Sequence, residues 1–301
     1  MPTRIMVPLD GSSFGECALP WALTLADAWD ATVDIVHAHD LITTPDLAYP
    51  AADATKEWAT DYLARTARWI EIRGGRTVET TVLGGMPSAV LQERAADSGA
   101  DLIVMATHGR GPLSRMWLGG VADALLRHTS IPLLLVRPEE GDAEVDLEQP
   151  VTVGKVLVSL DGSATSEGIL PHARAIGGVF GARYEMVRVF PYPENFANAY
   201  LPYTLQENSR LLKQGRATAA AYLEAKGKHL AEEGLDVETA VLVDHSPAAG
   251  ILHHAEECGT DLIAMASHGH GGGRRALLGS VTDKVVRGTA LPMLVVRPGA
   301  G

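Results

Sequence analysis

The chain is poor in cysteine, in long apolar runs and in surplus positive charge, and each shortage argues against a class of protein. Its two cysteines predict inert buried thiols in a reducing compartment. No apolar run approaches the ~18 residues that a membrane-spanning helix needs, and the N-terminal stretch up to Asp10 predicts no signal peptide. The net charge of −12 disfavours nucleic acid, whose phosphates favour basic surfaces. We therefore expect a cytoplasmic protein that binds neither nucleic acid nor membrane.

Motifs of nucleotide-processing enzymes are missing or incomplete. The chain has no GxxxxGK[ST] phosphate loop, so it is not a P-loop NTPase. HGHG at His268–Gly271 is similar to the HxGH of nucleotidyl transferases, but that motif belongs after a first strand. LDGSS at Leu9–Ser13 lacks the double glycine and second Asp of the pyrophosphatase loop SGGxDS. No nucleophile and base stand at a plausible spacing, so we predict no dedicated enzyme and keep slow ATP hydrolysis or a kinase-like activity as an alternative.

A long internal repeat is the main positive feature of the chain. RIMVPLDGSS at Arg4–Ser13 returns as KVLVSLDGSA at Lys155–Ala164. ADLIVMATHGRG at Ala100–Gly111 returns as TDLIAMASHGHG at Thr260–Gly271. Solenoid repeats run to only ~20–50 residues, so a repeat of this length is a whole duplicated domain.

The repeat predicts two domains and a linker. Domain 1 spans 1–138, an acidic linker spans 139–152, and domain 2 spans 153–301. Six acidic residues and no Lys or Arg occur in the linker, which is typical of a solvated segment rather than a binding tail. Cys17 and Cys258 fall at non-equivalent places of the two copies, which disfavours a shared thiol chemistry.

Each copy alternates short apolar runs with longer amphipathic stretches, which predicts an α/β fold. The continuously apolar LIVMA and LIAMA runs are typical of parallel strands covered on both faces. We predict two similar domains, each a doubly wound five-stranded parallel sheet flanked by helices, as in Rossmann-like proteins. In the first copy the strands are expected near Arg4–Leu9, Thr32–Ala38, Thr77–Leu83, Leu102–Thr107 and Ile131–Val136, and the helices near Phe14–Trp29, Ala54–Arg73, Pro87–Ser98 and Met116–His128.

Unusual residues lie where the first and fourth strands of each copy end. The Asp-Gly-Ser triplets at Asp10–Ser12 and Asp161–Ser163 follow the first strands, and the HGRG and HGHG segments follow the fourth. Ligands of such sheets bind beyond the carboxyl ends of the strands, so these loops predict a crevice. The alternative for each Asp is an Asx turn or a helix cap. His108 and His268 lack further ligands for a metal and predict loop hydrogen bonds.

A glycine spacing follows the fourth strand of each copy. Gly109 precedes Gly119 and Gly120 by nine intervening residues, as Gly269 precedes Gly279 and Ser280. Glycine lets backbone N–H groups approach an anion, and a helix N-terminus adds a favourable dipole. The alternative is a flexible loop whose glycines serve turns alone.

These residues, with the first-strand Asp and the closing IPLLLVRP-type strand, resemble the universal stress protein family, specifically its tandem-domain members. The family's nucleotide signature is a glycine, two residues, a second glycine, nine residues, then glycine with Ser or Thr. The second copy matches except that Ala266 replaces the first glycine. The first copy departs twice, with Ala106 for that glycine and Gly120 for the hydroxyl residue.

The resemblance implies an adenine nucleotide ligand, ATP, ADP or AMP, with Mg²⁺ as a candidate companion ion. It places the adenine and ribose contacts of the second copy at Asp161, Val189 and Met265, and the phosphate contacts at Gly269, Gly279, Ser280, Val281 and Thr282. The first-copy equivalents are Asp10, Ala38, Met105, Gly109, Gly119, Gly120, Val121 and Ala122. Hydroxyls at Ser280 and Thr282 have no counterpart in the first copy, which predicts tighter binding by the second.

The resemblance also implies a role as a sensor or regulator in the stress response, without a catalytic residue or a resident metal. A scaffold that has lost nucleotide binding is the alternative. In this family the closing strands pair across a dimer, so the two copies of one chain are expected to form an internal pseudo-dimer. A further homodimer stays open, and the protein partner is unknown.

Overall fold

The computed structural model describes residues 2–39, 50–107, 118–137, 145–147, 150–191, 202–267 and 278–297. The chain divides into two compact units: Met1–Thr152 with Pro292–Arg297, and Val153–Leu291 with Pro298–Gly301. No helix among the described ranges is long and apolar enough to cross a membrane.

Each sequence copy alternates strands and helices. The first contains β1 Arg4–Pro8, α1 Ser13–Glu16, α2 Ala18–Trp29, β2 Thr32–His39, α3 Pro50–Gly74, β3 Glu79–Gly84, α4 Pro87–Asp97, β4 Leu102–Ala106, α5 Gly120–His128 and β5 Leu133–Val136. The second contains β6 Lys155–Ser159, α6 Ala164–Glu167, α7 Leu170–Val179, β7 Arg183–Pro191, α8 Pro202–Glu232, β8 Val237–Asp244, α9 Pro247–Glu257, β9 Leu262–Ala266, α10 Ser280–Gly288 and β10 Met293–Val296.

Both units contain the parallel sheet that the apolar runs predicted. In the first unit the strand order is β3-β2-β1-β4-β5-β10, and in the second it is β9-β6-β7-β8. All described pairs are parallel except β5 with β10, where Leu134 stands opposite Leu294. The α/β prediction is confirmed, with one difference: β10, the fifth strand of the second copy, lies in the first unit.

The strands nearest the centre of each sheet are covered on both faces. Ile5, Met6 and Val7 of β1 have no exposed surface, and all five residues of β4 and of β9 are buried. Burial on both faces favours the continuous apolar runs over an alternating pattern.

The first predicted helix, Phe14–Trp29, is two helices in the structure. Helix α1 ends at Glu16 and α2 begins at Ala18. The physical reason is Pro20, which has no N–H to donate to the carbonyl of Glu16 and so interrupts the helical ladder. Pro171 is the equivalent residue of the second copy, in the first turn of α7, and α6 likewise ends at Glu167.

A buried ion pair joins β2 to α4 in the first unit. The Asp34 side chain has no exposed surface, and both Nε and Nη2 of Arg94 donate to its Oδ2, at 2.9 and 2.7 Å. The hydroxyl of Thr81 donates to Oδ1 at 2.9 Å. Each oxygen of this buried carboxylate therefore accepts at least one hydrogen bond, which offsets the cost of taking the charge out of water.

We predict that Arg94→Met destabilises the protein, because it leaves the Asp34 charge buried without its guanidinium. Loss of one partner of a buried pair costs ~3–5 kcal/mol, and the partial exposure of Arg94 favours the lower end. Urea unfolding followed by circular dichroism measures the change. Arg65→Met, at an exposed position of α3, is the control and should alter stability by less than ~0.5 kcal/mol. Equal effects of the two substitutions would contradict the assignment.

Candidate functional site

The strand order reverses between β1 and β4 in the first unit and between β6 and β9 in the second. At such a switch point the loops that leave the two strands diverge and open a crevice. Neighbouring strands run in parallel, with Met6 opposite Ile103 and Ser159 opposite Met265. The candidate crevice of each unit is therefore the space at the carboxyl ends of these two strands.

The Asp-Gly-Ser triplet forms the same tight turn on both first strands. Oδ1 of Asp10 accepts from the amide and hydroxyl of Ser12 at 3.0 and 2.5 Å. Oδ1 of Asp161 accepts from the amide and hydroxyl of Ser163 at 2.9 and 2.6 Å. Each serine hydroxyl in turn caps the short helix that follows, α1 or α6. The Asx turn that was the alternative for each Asp is therefore present, and it uses one oxygen of each carboxylate. The turn fixes the direction of the whole side chain.

The fourth strand of each unit ends in a methionine and an alanine. Met105 and Ala106 end β4, Met265 and Ala266 end β9, and all four are less than a tenth exposed. The backbone N–H of Gly119 donates to the backbone carbonyl of Thr107 at 2.8 Å, and that of Gly279 donates to the backbone carbonyl of Ser267 at 2.7 Å. These bonds close the base of each loop and bring the start of α5 or α10 to the strand end.

The N-termini of α5 and α10 carry no side-chain cap. Gly119 and Gly279 are their N-cap residues, and as glycines they have no side chain that could accept from the first-turn N–H groups. The next residues, Gly120 and Ser280, are exposed, and Val121 and Val281 are half-buried. An exposed helix N-terminus presents backbone N–H donors and the positive end of the helix dipole, and both suit an anion.

The first turn of α10 also contains an acidic residue, Asp283. Arg287, one turn further along, donates to this carboxylate through Nε at 3.1 and 3.2 Å. Asp123 and Arg127 form the same pair on α5. Each guanidinium offsets the negative charge that would otherwise oppose an anion at the helix start.

The sequence predicted the Thr282 hydroxyl as a phosphate contact, but in the structure this hydroxyl bonds to the protein backbone. Its Oγ1 donates to the carbonyl of Ala266 at 2.9 Å, and the side chain is 3 % exposed. The hydroxyl therefore joins α10 to the end of β9. Ala122, its equivalent, is 2 % exposed and has no hydroxyl for this bond. Of the two expected hydroxyl donors, Ser280 is the exposed one.

The second strands supply the other wall of each crevice. Ala38 on β2 and Val189 on β7 are half-buried, and the residues before them differ in charge. In the first unit Nδ1 of His37 donates to the carbonyl of Leu9 at 2.8 Å. In the second, the guanidinium of Arg188 lies over Gly162 and 5.4 Å from the centre of the Tyr222 ring. The turn of Asp161 thus has a cationic neighbour that the turn of Asp10 lacks in that position.

A glutamate–tyrosine pair supports each Asp turn, and neither pair was singled out from the sequence. The hydroxyl of Tyr62 on α3 donates to Glu16 at 2.9 Å, and that of Tyr222 on α8 donates to Glu167 at 2.9 Å. Burial, reinforced by the neighbouring carboxylate, raises the pKa of both phenols, which stay protonated donors. Their presence at matching places of both copies was the available signal.

Two further sequence expectations meet the structure differently. Cys17 and Cys258 are free thiols that are half-exposed rather than fully buried. Burial raises the pKa of the Cys17 thiol to about 12 and also raises that of Cys258, so neither is a ready nucleophile. Four of the predicted residues lie outside the described ranges: His108, Gly109, His268 and Gly269.

Each unit is a doubly wound α/β sheet with a polar turn and a glycine-started helix at its switch point, which is where proteins of this fold class bind their ligands. The sequence model of the universal stress protein family matches residues 1–137 and again 152–297. The chain therefore belongs to the universal stress protein family, with two family domains in tandem.

Relatives that match one or both domains support the assignment. A universal stress protein of Mycolicibacterium smegmatis is 27% identical over 303 residues, which cover 98% of this chain and 97% of that protein. A universal stress protein of Methanocaldococcus jannaschii is 30% identical over 141 residues, which cover 44% of this chain and 81% of that protein. The crystal structure of a universal stress protein from Archaeoglobus fulgidus superposes with a TM-score of 0.69 at 19% identity and covers 98% of both chains. At that identity the likeness shows the fold alone.

We predict that Gly162→Ala is more harmful than Gly181→Ala. Both glycines have positive φ, +90° and +62°, so each alanine costs ~1–2 kcal/mol of backbone strain. A Cβ at Gly162 would also stand 2.8 Å from Arg188, whereas one at Gly181 meets nothing within 4 Å. Displacing the guanidinium from Tyr222 should cost a further ~0.5–1 kcal/mol. Equal losses of unfolding free energy in denaturant titrations would show that Arg188 does not occupy this place.

Proposed function

We propose that this universal stress protein binds an adenine nucleotide, ATP, ADP or AMP, in the crevice of each unit. We further propose that it acts as a cytoplasmic sensor or regulator in the stress response. One observation carries the proposal most: in both units a helix that starts at a glycine, without a side-chain cap, and the Asp turn follow the two strands that flank the switch point.

The residues of the second unit fit the parts of such a ligand. N–H groups at the start of α10 and the exposed hydroxyl of Ser280 suit phosphate oxygens. The Asp161 carboxylate, oriented by its turn, can accept from ribose hydroxyls. Met265 and Val189 supply soft apolar surface for a purine. Mg²⁺ enters the proposal only as the ion that accompanies the phosphates, since such ions are held largely through substrate phosphates.

The same fit explains why binding, rather than turnover, is the proposed activity. The groups assigned to the ligand are helix N–H groups, one hydroxyl, one carboxylate and apolar surface, which recognise and orient a nucleotide. A regulator of this kind would report the nucleotide by changing its conformation or its association with a partner protein.

We predict that the two sites are unequal, with the second unit binding more tightly. Ser280 offers a donor where the first unit has Gly120, and Arg188 lies beside the Asp turn where the first unit has His37. A hydrogen bond to a charged group contributes ~1.5–3 kcal/mol, and ~1.4 kcal/mol is tenfold in affinity. Calorimetric titration with ATP and Mg²⁺ should therefore show two phases at least about tenfold apart.

Matched variants assign the phases. Asp161→Ala should abolish the tighter phase, while Asp10→Ala removes the equivalent turn and should leave that phase nearly intact. Gly120→Ser should tighten the weaker phase, because it adds the hydroxyl that the first unit lacks at this position, and a Cβ at Gly120 meets no described residue within 4 Å. Two equivalent sites in the parent protein, or equal losses from the two Asp variants, would contradict the asymmetry.

The tandem arrangement also suggests that one chain contains the family's dimer, and we propose such a pseudo-dimer. What supports it is the antiparallel pairing of β5 with β10, the closing strands of the two sequence copies. Leu133, Leu134 and Leu135 of β5 are at most 2 % exposed, so an unpaired β5 edge would be both apolar and prone to association.

We predict that protease cleavage in the acidic linker, within 139–152, leaves the two fragments associated. The apolar strand pair would hold them after the covalent connection is cut. Gel filtration of the nicked protein without denaturant should give one peak at the elution volume of the intact chain. Separation into two fragments under the same conditions would refute the pseudo-dimer.

A further inference from the structure

Away from the crevice, three potential metal ligands of different types converge in the second unit. Glu185 lies on β7, His254 on α9, and Cys258 caps the end of α9. One ligand atom from each lies within 4.8 Å of the other two. The side chain of His254 is only 16 % exposed, against 71 % for its neighbour His253.

The geometry of the three side chains suits a small cation. Nε2 of His254 lies 2.7 Å from Oε1 of Glu185 and 3.5 Å from Sγ of Cys258. Tetrahedral zinc with ligands at ~2.0–2.3 Å separates its donor atoms by about 3.4–3.6 Å. The nitrogen–sulfur distance already has this value, and the nitrogen–oxygen distance needs to open by less than about 1 Å. His254 and Cys258 can meet in this way because residues four apart share a helix face.

The carboxylate is held in place and kept charged by its other neighbour. Lys155, buried on β6, contacts Oε2 of Glu185 at 2.6 Å, and its Nζ also donates to the carbonyl of Cys258 at 3.3 Å. Burial alone would raise the pKa of Glu185, but the hydrogen bonds from Lys155 and His254 outweigh it and lower the pKa. Oε1 is therefore an ionised oxygen already directed at the imidazole.

In the first unit an arginine side chain occupies the corresponding place. The equivalents of Glu185, His254 and Cys258 are Asp34, Arg94 and Ser98, and the guanidinium of Arg94 binds Asp34 there. Arg94 cannot ligate a metal, so only the second copy has a Cys, His and carboxylate set. Both copies therefore have a buried acid on their second strand. Its partner on the helix that follows the third strand is Arg94 in the first copy and His254 in the second.

We propose that Glu185, His254 and Cys258 form a binding site for a divalent transition metal of the Zn²⁺ class. A thiolate with an imidazole favours Zn²⁺ over Mg²⁺ or Ca²⁺, which prefer all-oxygen sites. Three protein ligands leave a fourth position for water. When the metal binds, the Cys258 thiol gives its proton to solvent and sulfur bonds to the metal. His254 would bind the metal through Nε2 and carry its ring proton on Nδ1.

Such a site would fasten the end of α9 to β7 near the start of that strand. The ligand that must lose a proton is Cys258, because the thiolate and not the thiol binds a metal. Each metal ion bound therefore releases about one proton, and binding weakens as the solution becomes more acidic.

The test uses the full-length, tag-free protein and the metals themselves. Equilibrium dialysis against Zn²⁺ should give one tightly bound ion per chain, and Co²⁺ as a spectroscopic probe should produce a thiolate-to-cobalt charge-transfer band. Cys258→Ser and His254→Ala should each weaken binding at least about tenfold and abolish the band. Cys258→Ser is nearly isosteric at a half-exposed position, so it keeps the fold if His254→Ala does not.

Two neighbouring variants control for adventitious binding. Cys17→Ser removes the other thiol and His253→Ala removes the exposed imidazole that faces Glu257. Both should leave the stoichiometry and the cobalt band unchanged. The proposal is overturned if the parent binds no Zn²⁺ at micromolar concentration, if Cys258→Ser binds as tightly as the parent, or if Cys17→Ser abolishes the band.

Discussion

The reversal of strand order beside the first strand of each copy is the constraint on which the candidate sites depend. Because β4 lies next to β1 in the first unit, and β9 next to β6 in the second, a loop leaves each strand in a different direction. The Asp turn and the start of α5 or α10 are thereby brought to one edge of the sheet. The bonds from Gly119 to Thr107 and from Gly279 to Ser267 then hold the helix start against the strand end. Without that reversal the Asp turn and the start of α5 or α10 would not border one crevice.

The two copies share some features of the candidate site and differ in others. Both copies keep the Asp turn, the glutamate–tyrosine pair and the uncapped helix. They differ in the polar residues around these parts: His37 against Arg188, and Gly120 against Ser280. The buried acid of the second strand also has a different cation, Arg94 in one copy and Lys155 in the other. The shared parts suit one kind of ligand, and the differing parts suit unequal affinities.

Sequence patterns predicted the elements of the fold well and the partners of individual side chains less well. The apolar runs located the strands, and the repeated Asp-Gly-Ser triplet located the turn, because both depend on residues close in the chain. The split of the first helix was missed, although Pro20 was a local signal for it. The bond from Thr282 to Ala266 and the inward position of His254 depend on packing between distant elements. No periodicity within one helix could have revealed them.

Binding of an adenine nucleotide by the folded chain is the central claim, and native mass spectrometry with added ATP and Mg²⁺ tests it most directly. The account predicts an adduct of one ATP per chain at low concentration and a second ATP only at higher concentration. Substitution of Asp161 by alanine should remove the first adduct. A folded protein that forms no ATP, ADP or AMP adduct at millimolar nucleotide would contradict the account.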